Sequence, residues 1–307
     1  MQTEKLFKEL NKCTLCPRNC NANRNAGAKG VCGVDTGLYV ARAALHMWEE
    51  PCISGSEGSG AVFFSGCNMH CVFCQNKDIS NGAAGKEITI ERLAKIFTEL
   101  QEKNANNINL VTPTHYTCHI IEAVKKAREE GLVIPIIYNT SGYEKPETIA
   151  LLKDTVDVFL PDFKYMNPET AASFSKAPDY PEVAKKAIEA MVNITGPCEF
   201  DNAGKIKKGT IVRVLVLPGK TREAMDIIKW LHETFGDSIY LSIMSQYTPM
   251  DTVPDEAAFH ELHRPITKRE YEKVIDYALS LGIKNAFIQE GSVAKESFIP
   301  EFNGEGV

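Results

Sequence analysis

Two groups of cysteines are the residues of this 307-residue chain most able to do chemistry. Four cysteines fall within residues 13–32, and Cys67, Cys71 and Cys74 form a second group. Residues 1–12 are charged and amphipathic and lack the apolar core of a secretory signal, so we expect a cytoplasmic location. In such a reducing compartment, clustered cysteines more often hold metal than form disulfides.

The second group, here called the central cysteine site, has the spacing C-x3-C-x2-C over Cys67, Cys71 and Cys74. A closed zinc site needs four ligands, and His70 could supply a fourth, although its place beside Cys71 makes the geometry awkward. A [4Fe–4S] cluster held by three cysteines leaves one iron free to bind a chelating substrate. S-adenosylmethionine (SAM) offers such a chelate, and one electron from the cluster would break its sulfonium bond to give a 5′-deoxyadenosyl radical. We therefore predict a [4Fe–4S] cluster with SAM.

The first group, here called the N-terminal cysteine site, comprises Cys13, Cys16, Cys20 and Cys32 with the spacing C-x2-C-x3-C-x11-C. Four thiolates close the coordination of either a zinc ion or a second [4Fe–4S] cluster. The short spacing is more typical of clusters than of a zinc ribbon, which usually has two matched pairs. A cluster could relay electrons, whereas zinc would only staple a region with little core. The sequence leaves both alternatives open.

Apolar runs alternate with helical patterns from Ala61 onward, and these runs are typical of parallel strands that are buried on both faces. Repeated βα units predict an α/β fold, a partial parallel (β/α)6-type TIM barrel over residues 59–307, with function at the carboxyl ends of the strands. Residues 1–58 are predicted to form a small Cys-rich, metal-binding N-terminal region, with residues 53–60 as a Gly/Ser linker. The predicted strands are residues 61–65, 109–112, 134–139, 156–160, 211–217, 239–243 and 286–288, and the predicted helices are residues 4–10, 89–102, 118–130 and 267–281.

Composition narrows the classes of partner. Hydrophobic residues make up 44% and charged residues 24%, as in an ordinary soluble globular protein. The net charge of −6 gives no support for nucleic acid or an anionic membrane surface as a partner. No apolar run approaches the ~20 residues that a transmembrane helix needs. We expect neither a nucleic-acid nor a membrane partner.

The segment FFSGCNMHCVFCQN, residues 63–76, resembles the radical SAM superfamily. More narrowly, it is similar to the enzymes that activate pyruvate formate-lyase and other glycyl-radical enzymes, and to their uncharacterised relatives. The resemblance covers about residues 60–250. It implies that Phe73 packs near the adenine of SAM and that Asn76 belongs to the polar run after the third cysteine. The N-terminal cysteine site is a departure, because activating enzymes with extra clusters place them after the SAM motif.

The next strand ends resemble the family only in part. The family has a Gly-Gly-Glu-type motif after the second strand, which holds the amino group of SAM. This chain has the sequence TPTH there, in which Thr114 and His115 offer hydrogen-bonding groups but no carboxylate. After the third strand, Asn139 and Thr140 resemble the family's Asp-Thr-Asn-Gly stretch, which lies beside the ribose and carboxylate of SAM.

The later strand ends add four more expected SAM contacts. Asp162 and Lys164 match the family's Leu-Asp-Leu-Lys stretch, and with the third strand end they imply a weakened monovalent-cation site. Arg213 matches an arginine on a late strand, and its place in an apolar run predicts a carboxylate partner, either SAM or a protein acid. Gln246 follows the sixth strand, where the family has a histidine that contacts SAM.

The resemblance implies a radical SAM oxidoreductase that abstracts hydrogen from a protein partner, such as a backbone glycine of a glycyl-radical enzyme. Its electron donor would be a flavodoxin or ferredoxin. One alternative is radical modification of a peptide or small molecule, with residues 246–266 as a substrate lid. A second alternative, a non-enzymatic iron–sulfur electron-transfer protein, is disfavoured because three cysteines leave an open iron.

Overall fold

The computed structural model describes residues 2–82, 84–251, 253–289 and 300–307. Its helices are α1 Gln2–Glu9, α2 Pro51–Ser54, α3 Lys77–Ser80, α4 Ile90–Glu102, α5 Thr117–Glu129, α6 Pro146–Ala150, α7 Pro168–Ser175, α8 Tyr180–Thr195, α9 Thr221–Phe235 and α10 Lys268–Ser280. Its strands are β1 Leu38–His46, β2 Ser59–Phe64, β3 Lys86–Ile88, β4 Ile108–Val111, β5 Ile136–Thr140, β6 Val158–Pro161, β7 Glu199–Phe200, β8 Ile206–Leu215, β9 Tyr240–Met244 and β10 Ala286–Ile288. Short 3-10 helices lie at Leu10–Lys12, Arg24–Ala26, Thr114–Tyr116, Gly236–Ser238 and Ala257–His263.

One sheet carries the strands in the order β10-β9-β8-β6-β5-β4-β2-β1-β3. The strands from β2 to β10 in this order pair in parallel, and they include every strand predicted from the sequence. Strands β1 and β3 extend one edge in antiparallel fashion, and β7 pairs antiparallel with β8. The sheet stays open between β3 and β10 among the described residues, which confirms an α/β fold with a partial barrel.

The predicted long helices form because their ends are marked in the sequence. The Thr89 side chain accepts a hydrogen bond from the backbone of Arg92 at 3.1 Å and so caps α4. Thr267 and Glu270 form a reciprocal capping box at the start of α10. The glycines that follow α5 and α10 adopt left-handed φ angles of +103° at Gly131 and +79° at Gly282, a conformation that ends helices.

The predicted linker at residues 53–60 is wrong. These residues complete helix α2 and begin β2, and Ile53 is fully buried. Asn107 ties the segment down, because its side chain donates to Ile53 O at 2.9 Å and accepts from Ser59 Oγ at 2.6 Å. A methyl group on Gly60 would lie 2.9 Å from Asn107 O. The small residues thus permit close packing against β4. A Gly/Ser-rich composition is found both in flexible linkers and in such closely packed segments, so it did not distinguish them here.

Strand β1 was not predicted, although it joins the N-terminal part of the chain to the sheet. Its Arg42 lies opposite Phe63 of β2 in an antiparallel pair. The last residues of the chain run along its other side, where Ala43 N donates to Glu305 O at 2.8 Å. The division of the chain at residue 58 stays a prediction.

Arg24 anchors the N-terminal segment to the barrel. Its side chain is only 1% exposed and donates to Asp35 O at 2.9 and 2.7 Å and to His115 O at 2.8 Å. Charge-assisted hydrogen bonds to buried carbonyls are stronger than neutral ones, and their removal leaves the carbonyls unsatisfied. We therefore regard Arg24 as the main polar tie between this segment and the turn after β4.

The substitution Arg24→Met is expected to lower the free energy of unfolding by roughly 2–4 kcal/mol, because buried carbonyls lose their donors. Urea unfolding followed by circular dichroism measures the change. Arg222→Met is the matched control, since Arg222 is 87% exposed, and it should cost less than about 0.5 kcal/mol. Equal effects of the two substitutions would contradict this role for Arg24.

Candidate functional site

A cavity of about 260 Å³ lies at the carboxyl ends of the parallel strands. Its lining comes from the loops after β2, β4, β5, β6 and β9 and from the end of β8. Parallel strands bring such loops to one edge of a sheet, so residues far apart in the chain meet there. The residues predicted from the sequence that line this cavity are Cys67, Cys71, Phe73, Cys74, Asn76, Asn139, Thr140, Asp162, Lys164, Arg213 and Gln246.

The loop after β2 is shaped by a glycine and held by backbone hydrogen bonds. Gly66 has a φ angle of +90°, and a methyl group on it would lie 2.6 Å from Cys32 O. Cys67 N donates to that same carbonyl oxygen at 3.1 Å. Further along, Ser175 Oγ donates to Cys71 Sγ at 3.1 Å. The three thiols of the central cysteine site therefore line one cavity on a constrained loop.

Burial makes two of these thiols, Cys67 and Cys74, hard to ionise without a metal. It raises the pKa of Cys67, and it raises the pKa of Cys74 to about 12, with the neighbouring Cys71 adding to both effects. Metal binding would release the protons, because the thiolate is the ligand. In the part of the chain that the structure describes, no three acidic, histidine or cysteine side chains converge as ligands of a single ion. An iron–sulfur cluster differs from a single ion in that each thiolate bonds its own iron.

Aromatic rings form the apolar wall of the cavity. Phe73 lies edge-on to Phe174 and Tyr247, with ring centroids 6.1 Å apart in both pairs, and to Tyr165 at 6.5 Å. Phe73 is buried yet lines the cavity, so its ring presents an apolar surface to any ligand. Contact between Phe73 and an adenine ring stays a prediction.

A carboxylate partner was predicted for Arg213 because it lies in an apolar strand. The structure shows two, both of them protein acids. Its Nε donates to Glu50 Oε1 at 2.9 Å, and its Nη2 binds both Glu49 and Glu50. Although burial acts against the charge, Glu49 and Glu50 raise the pKa of Arg213. Glu49 also lines the cavity and accepts from Asn109 Nδ2 at 2.8 Å. Neither acid was predicted from the sequence, because β1, the strand that leads to them, was not predicted either.

Asp162 is neutralised by the chain itself. Lys164 Nζ lies 2.5 Å from Asp162 Oδ2, and although burial acts against the ammonium charge, Asp162 raises the pKa of Lys164. The turn is fixed by Tyr180, whose hydroxyl donates to Asp162 O at 2.9 Å and accepts from Lys164 N at 2.9 Å. The oxygen expected to bind a monovalent cation thus already has a cationic partner, and the cation site stays a prediction.

Thr114 and His115 are the two predicted SAM contacts that the structure turns away from the cavity. Both are buried in the 3-10 helix after β4 and are absent from the cavity lining. His115 Nε2 lies 2.8 Å from Ser65 O, and burial lowers the pKa of His115 to about 3, so the ring is neutral and Nε2–H donates. From this loop, Thr112 lines the cavity instead, with a left-handed φ angle of +59°.

Glu144 is a buried acid that sequence reasoning missed. It is fully buried, and it accepts hydrogen bonds from Thr114 Oγ1 at 2.5 Å and from the Thr140 hydroxyl. Its second oxygen has no hydrogen-bond partner among the described residues. Burial raises the pKa of Glu144 to about 7. No local motif marks it, because its role depends on hydroxyls from two different strand ends.

Comparisons with known sequences agree with this geometry. The sequence model of the radical SAM superfamily matches residues 61–231. Uncharacterized protein MJ0674 of Methanocaldococcus jannaschii is 30% identical over 87% of this chain and 74% of its own length. The pyruvate formate-lyase-activating enzyme of Clostridium pasteurianum is 30% identical over 34% of this chain and 45% of its own length. The chain thus spans less than half of that enzyme.

Two solved structures share the fold. HydG, a maturase of the [FeFe]-hydrogenase, superposes with a TM-score of 0.52 and 15% identity over 78% of this chain and 53% of its own. Streptococcus suis SuiB bound to S-adenosylmethionine superposes with a TM-score of 0.50 and 14% identity over 74% of this chain and 49% of its own. At these identities the likeness concerns the fold alone. Among the described residues, no helix is both long and apolar enough to cross a membrane.

Glu144 should make stability depend on pH. Its native pKa of about 7 lies above the ordinary value of 4.5, so the stabilisation from its proton is complete below pH 4.5 and is lost as pH rises through about 7. The Gln side chain of Glu144→Gln stays neutral at every pH. The unfolding free energy of this variant, relative to that of the unaltered chain, should therefore be higher at pH 8 than at pH 5 by roughly 2–3 kcal/mol. Urea unfolding at both pH values, with the exposed Glu233→Gln as control, tests this. The same difference at both pH values would contradict it.

Proposed function

Since the chain belongs to the radical SAM superfamily, we propose that its central cysteine site holds a [4Fe–4S] cluster and that the adjoining cavity binds SAM. When bound, these two groups supply a 5′-deoxyadenosyl radical through one-electron cleavage of SAM. One observation carries the proposal: Cys67, Cys71 and Cys74 line the same cavity as the polar residues of five strand ends. The residues that line the cavity would bind SAM, orient it and exclude water from the radical.

The number of thiols favours an open iron. The cavity lining contains Cys67, Cys71 and Cys74 and no other cysteine. His70 turns away from the cavity, because its Nε2 lies 2.7 Å from Val31 O and it is not part of the lining. Three ligands leave one coordination position for the amino and carboxylate groups of SAM. This arrangement also argues against a protein that only transfers electrons, which has no need of an open iron beside a cavity.

The charges around the cavity suit a ligand that carries both signs. Arg213 is bound by Glu49 and Glu50, so this group of three has one negative charge in excess. Glu49 reaches the cavity and would attract the sulfonium or amino group of SAM. Lys164 and Arg213 also line the cavity and offer donors to a carboxylate or to ribose oxygens. We assign Asn139, Thr140 and Gln246 to the hydrogen bonds that orient the ligand.

The apolar wall would protect a radical. Phe73 and Tyr247 line the cavity and pack into the aromatic cluster with Tyr165 and Phe174. Exclusion of water from a reactive intermediate prevents side reactions, and a flat apolar ring is a suitable surface for adenine.

The substrate that fits best is a polypeptide. The activating enzymes to which this chain is similar act, by name, on pyruvate formate-lyase. Trp48 lines the cavity although its ring is 59% exposed, and the adjacent Met47 is 42% exposed. An exposed aromatic residue at the mouth of a cavity, with an exposed methionine next to it in the chain, is typical of surfaces that bind polypeptides. We propose hydrogen abstraction from a protein partner, with a flavodoxin or ferredoxin as the electron donor and a small molecule as the alternative substrate.

The first residues of the predicted lid, 246–248, form part of the cavity wall. Gln246, Tyr247 and Thr248 line it, and the Tyr247 hydroxyl donates to Leu262 O at 2.6 Å. Phe259 packs on Phe174 with ring centroids 5.8 Å apart. The hydrogen bond joins the two ends of the segment to each other, and Phe259 packs the segment against the core; its role as a lid stays a prediction.

Cleavage of SAM tests the chemistry. Protein loaded anaerobically with iron and sulfide, then given dithionite and SAM, should release 5′-deoxyadenosine, measured by chromatography. Cys71→Ser should reduce release to background, because the cluster loses one of three ligands. Cys198→Ser, at a lone half-buried cysteine outside the cavity, should retain release. Full activity in Cys71→Ser would refute the assignment of the central cysteine site.

The partner class has a separate test. A glycyl-radical enzyme from the same organism, mixed with the loaded protein, reductant and SAM, should gain a carbon-centred radical visible by electron paramagnetic resonance. One 5′-deoxyadenosine should form per radical, because each abstraction consumes one SAM. Release of 5′-deoxyadenosine without any radical on the polypeptide would exclude this partner and favour a peptide or small molecule.

A further inference from the structure

We propose that the N-terminal cysteine site holds a second [4Fe–4S] cluster, closed by four protein thiolates, which delivers electrons to the central cysteine site. The inference rests on the proposed function, since it needs a redox-active cluster at Cys67, Cys71 and Cys74 to receive the electron. It is carried by three observations: the folding of the four cysteines around one another, their backbone junction with the central cysteine site, and the charge of the surrounding surface.

The backbone around the N-terminal cysteine site folds back on itself. Cys13 N donates to Ala22 O at 3.0 Å, and Asn21 N donates to Cys13 O at 3.0 Å. This pairing places the first cysteine beside the residues that follow Cys20. The two asparagines that flank Cys20 adopt left-handed φ angles, +43° at Asn19 and +55° at Asn21, a conformation that asparagine adopts more readily than most residues. These two residues let the chain turn at Cys20 and return to Cys13.

Gly30 leaves room between two of the thiols. A methyl group on it would lie 3.0 Å from Cys20 Sγ and 3.5 Å from Cys32 Sγ. Gly30 does not have a left-handed backbone, so its conformation does not require glycine. The lack of a side chain is therefore explained by the space that the two sulfurs need.

The charges and spacing of the thiols fit a cluster. Arg24 Nη1 lies 4.0 Å from Cys13 Sγ, and a guanidinium at this distance stabilises an anionic thiolate group. Zinc requires all four thiolates to converge on one ion, with Zn–S distances of about 2.3 Å. A cubane cluster accepts wider spacing, because each thiolate bonds a different iron.

A hydrogen bond joins the two cysteine sites. The carbonyl oxygen of Cys32 accepts from Cys67 N at 3.1 Å, so the last ligand of one site is bonded to the first ligand of the other. A continuous route of covalent bonds and this single hydrogen bond connects the two sulfur atoms. Next to it, His70 Nε2 lies 2.7 Å from Val31 O. Zinc is redox-inactive, so a zinc ion at the N-terminal cysteine site could not pass an electron through this hydrogen bond.

A second contact locks the two loops together. Arg18, between Cys16 and Cys20, donates through Nε to Asn68 O at 2.8 Å, within the central cysteine loop. Its Nη2 donates to Ser175 O at 2.8 Å, and Ser175 in turn donates its hydroxyl to Cys71 Sγ. The distance between the two sites is therefore held constant, as electron transfer requires.

The surface near the N-terminal cysteine site suits an acidic electron donor. Of the basic residues within 10–37, Arg24 is buried and Arg18 is bound to backbone carbonyls, so Lys12 and Lys29 supply the surface charge, beside one acidic residue, in a chain whose net charge is −6. Lys12, Lys29 and Lys176 are exposed there. An acidic one-electron donor protein would be steered to this patch. The donor loses one electron, the N-terminal cluster gains it and passes it to the central cluster, and no bond or proton moves.

Metal content and spectra test the second cluster. The unaltered chain should hold about eight irons and eight sulfides, Cys20→Ser about four of each, and Cys198→Ser about eight. Addition of SAM should change the electron paramagnetic resonance spectrum of the cluster left in Cys20→Ser. It should not change the spectrum of the cluster left when Cys67, Cys71 and Cys74 are all serine. One zinc with four irons, or no metal at the N-terminal cysteine site, would overturn the inference and leave the proposed function standing.

Gly30→Ala keeps every cysteine and guards against misfolding as an explanation. It should alter the spectrum of the cluster that ignores SAM and leave the cluster that responds to SAM unchanged. An unaltered spectrum would contradict a cluster beside Gly30. If instead the chain binds iron but no cluster responds to SAM, the proposed function fails.

Electron delivery has its own readout. In Cys20→Ser, stopped-flow reduction of the central cluster by a flavodoxin should slow by roughly tenfold or more, because the donor still docks at the lysine patch but the cluster that accepts its electron is lost. Reduction by dithionite, a small reagent that reaches the cavity directly, should keep its rate. Unchanged reduction by flavodoxin would overturn the relay, and so would equal slowing with both reductants, which would indicate a structural role.

Discussion

Parallel strand pairing is the constraint on which the site depends. The register aligns Phe63 of β2 with Val111 of β4, Val111 with Asn139 of β5, and Asn139 with Leu160 of β6. Because the strands end at the same level, the next residues of each meet above the sheet. The three cysteines, the turn of Asp162 and the end of β8 thus share one cavity although they are far apart in the chain. A slip of one residue in any pair would turn its strand-end side chain to the other face.

A second constraint is that charges removed from water must be paired. Arg213 could not lie in an apolar strand without Glu49 and Glu50, and Lys164 satisfies Asp162 in the same way. These pairs fix the side chains around the cavity and set its charge before any ligand arrives, which is the preorganisation that catalysis needs. Glu144 has no such cation, so its pKa rises instead, and two threonine hydroxyls hold it.

Sequence patterns predicted the features that rest on local rules. The parallel strands were found because buried strands are continuous apolar runs, and the central cysteine site because its spacing is a local motif. Strand β1 was not predicted because Arg42 interrupts its apolar pattern. Glu49 and Glu50, which follow this strand, were therefore not predicted as site residues. Thr114 and His115 were placed by their position after β4, but a 3-10 helix turns them inward, which depends on buried partners such as Ser65 that no local pattern reveals.

The central claim is that SAM binds directly to an iron held by Cys67, Cys71 and Cys74. Electron–nuclear double resonance on the reduced, loaded protein with SAM labelled with nitrogen-15 at its amino group measures that contact. We expect a strong coupling between the labelled nitrogen and the cluster in the unaltered chain and none in Cys71→Ser. Absence of coupling in the unaltered chain, with SAM bound and the cluster intact, would contradict it.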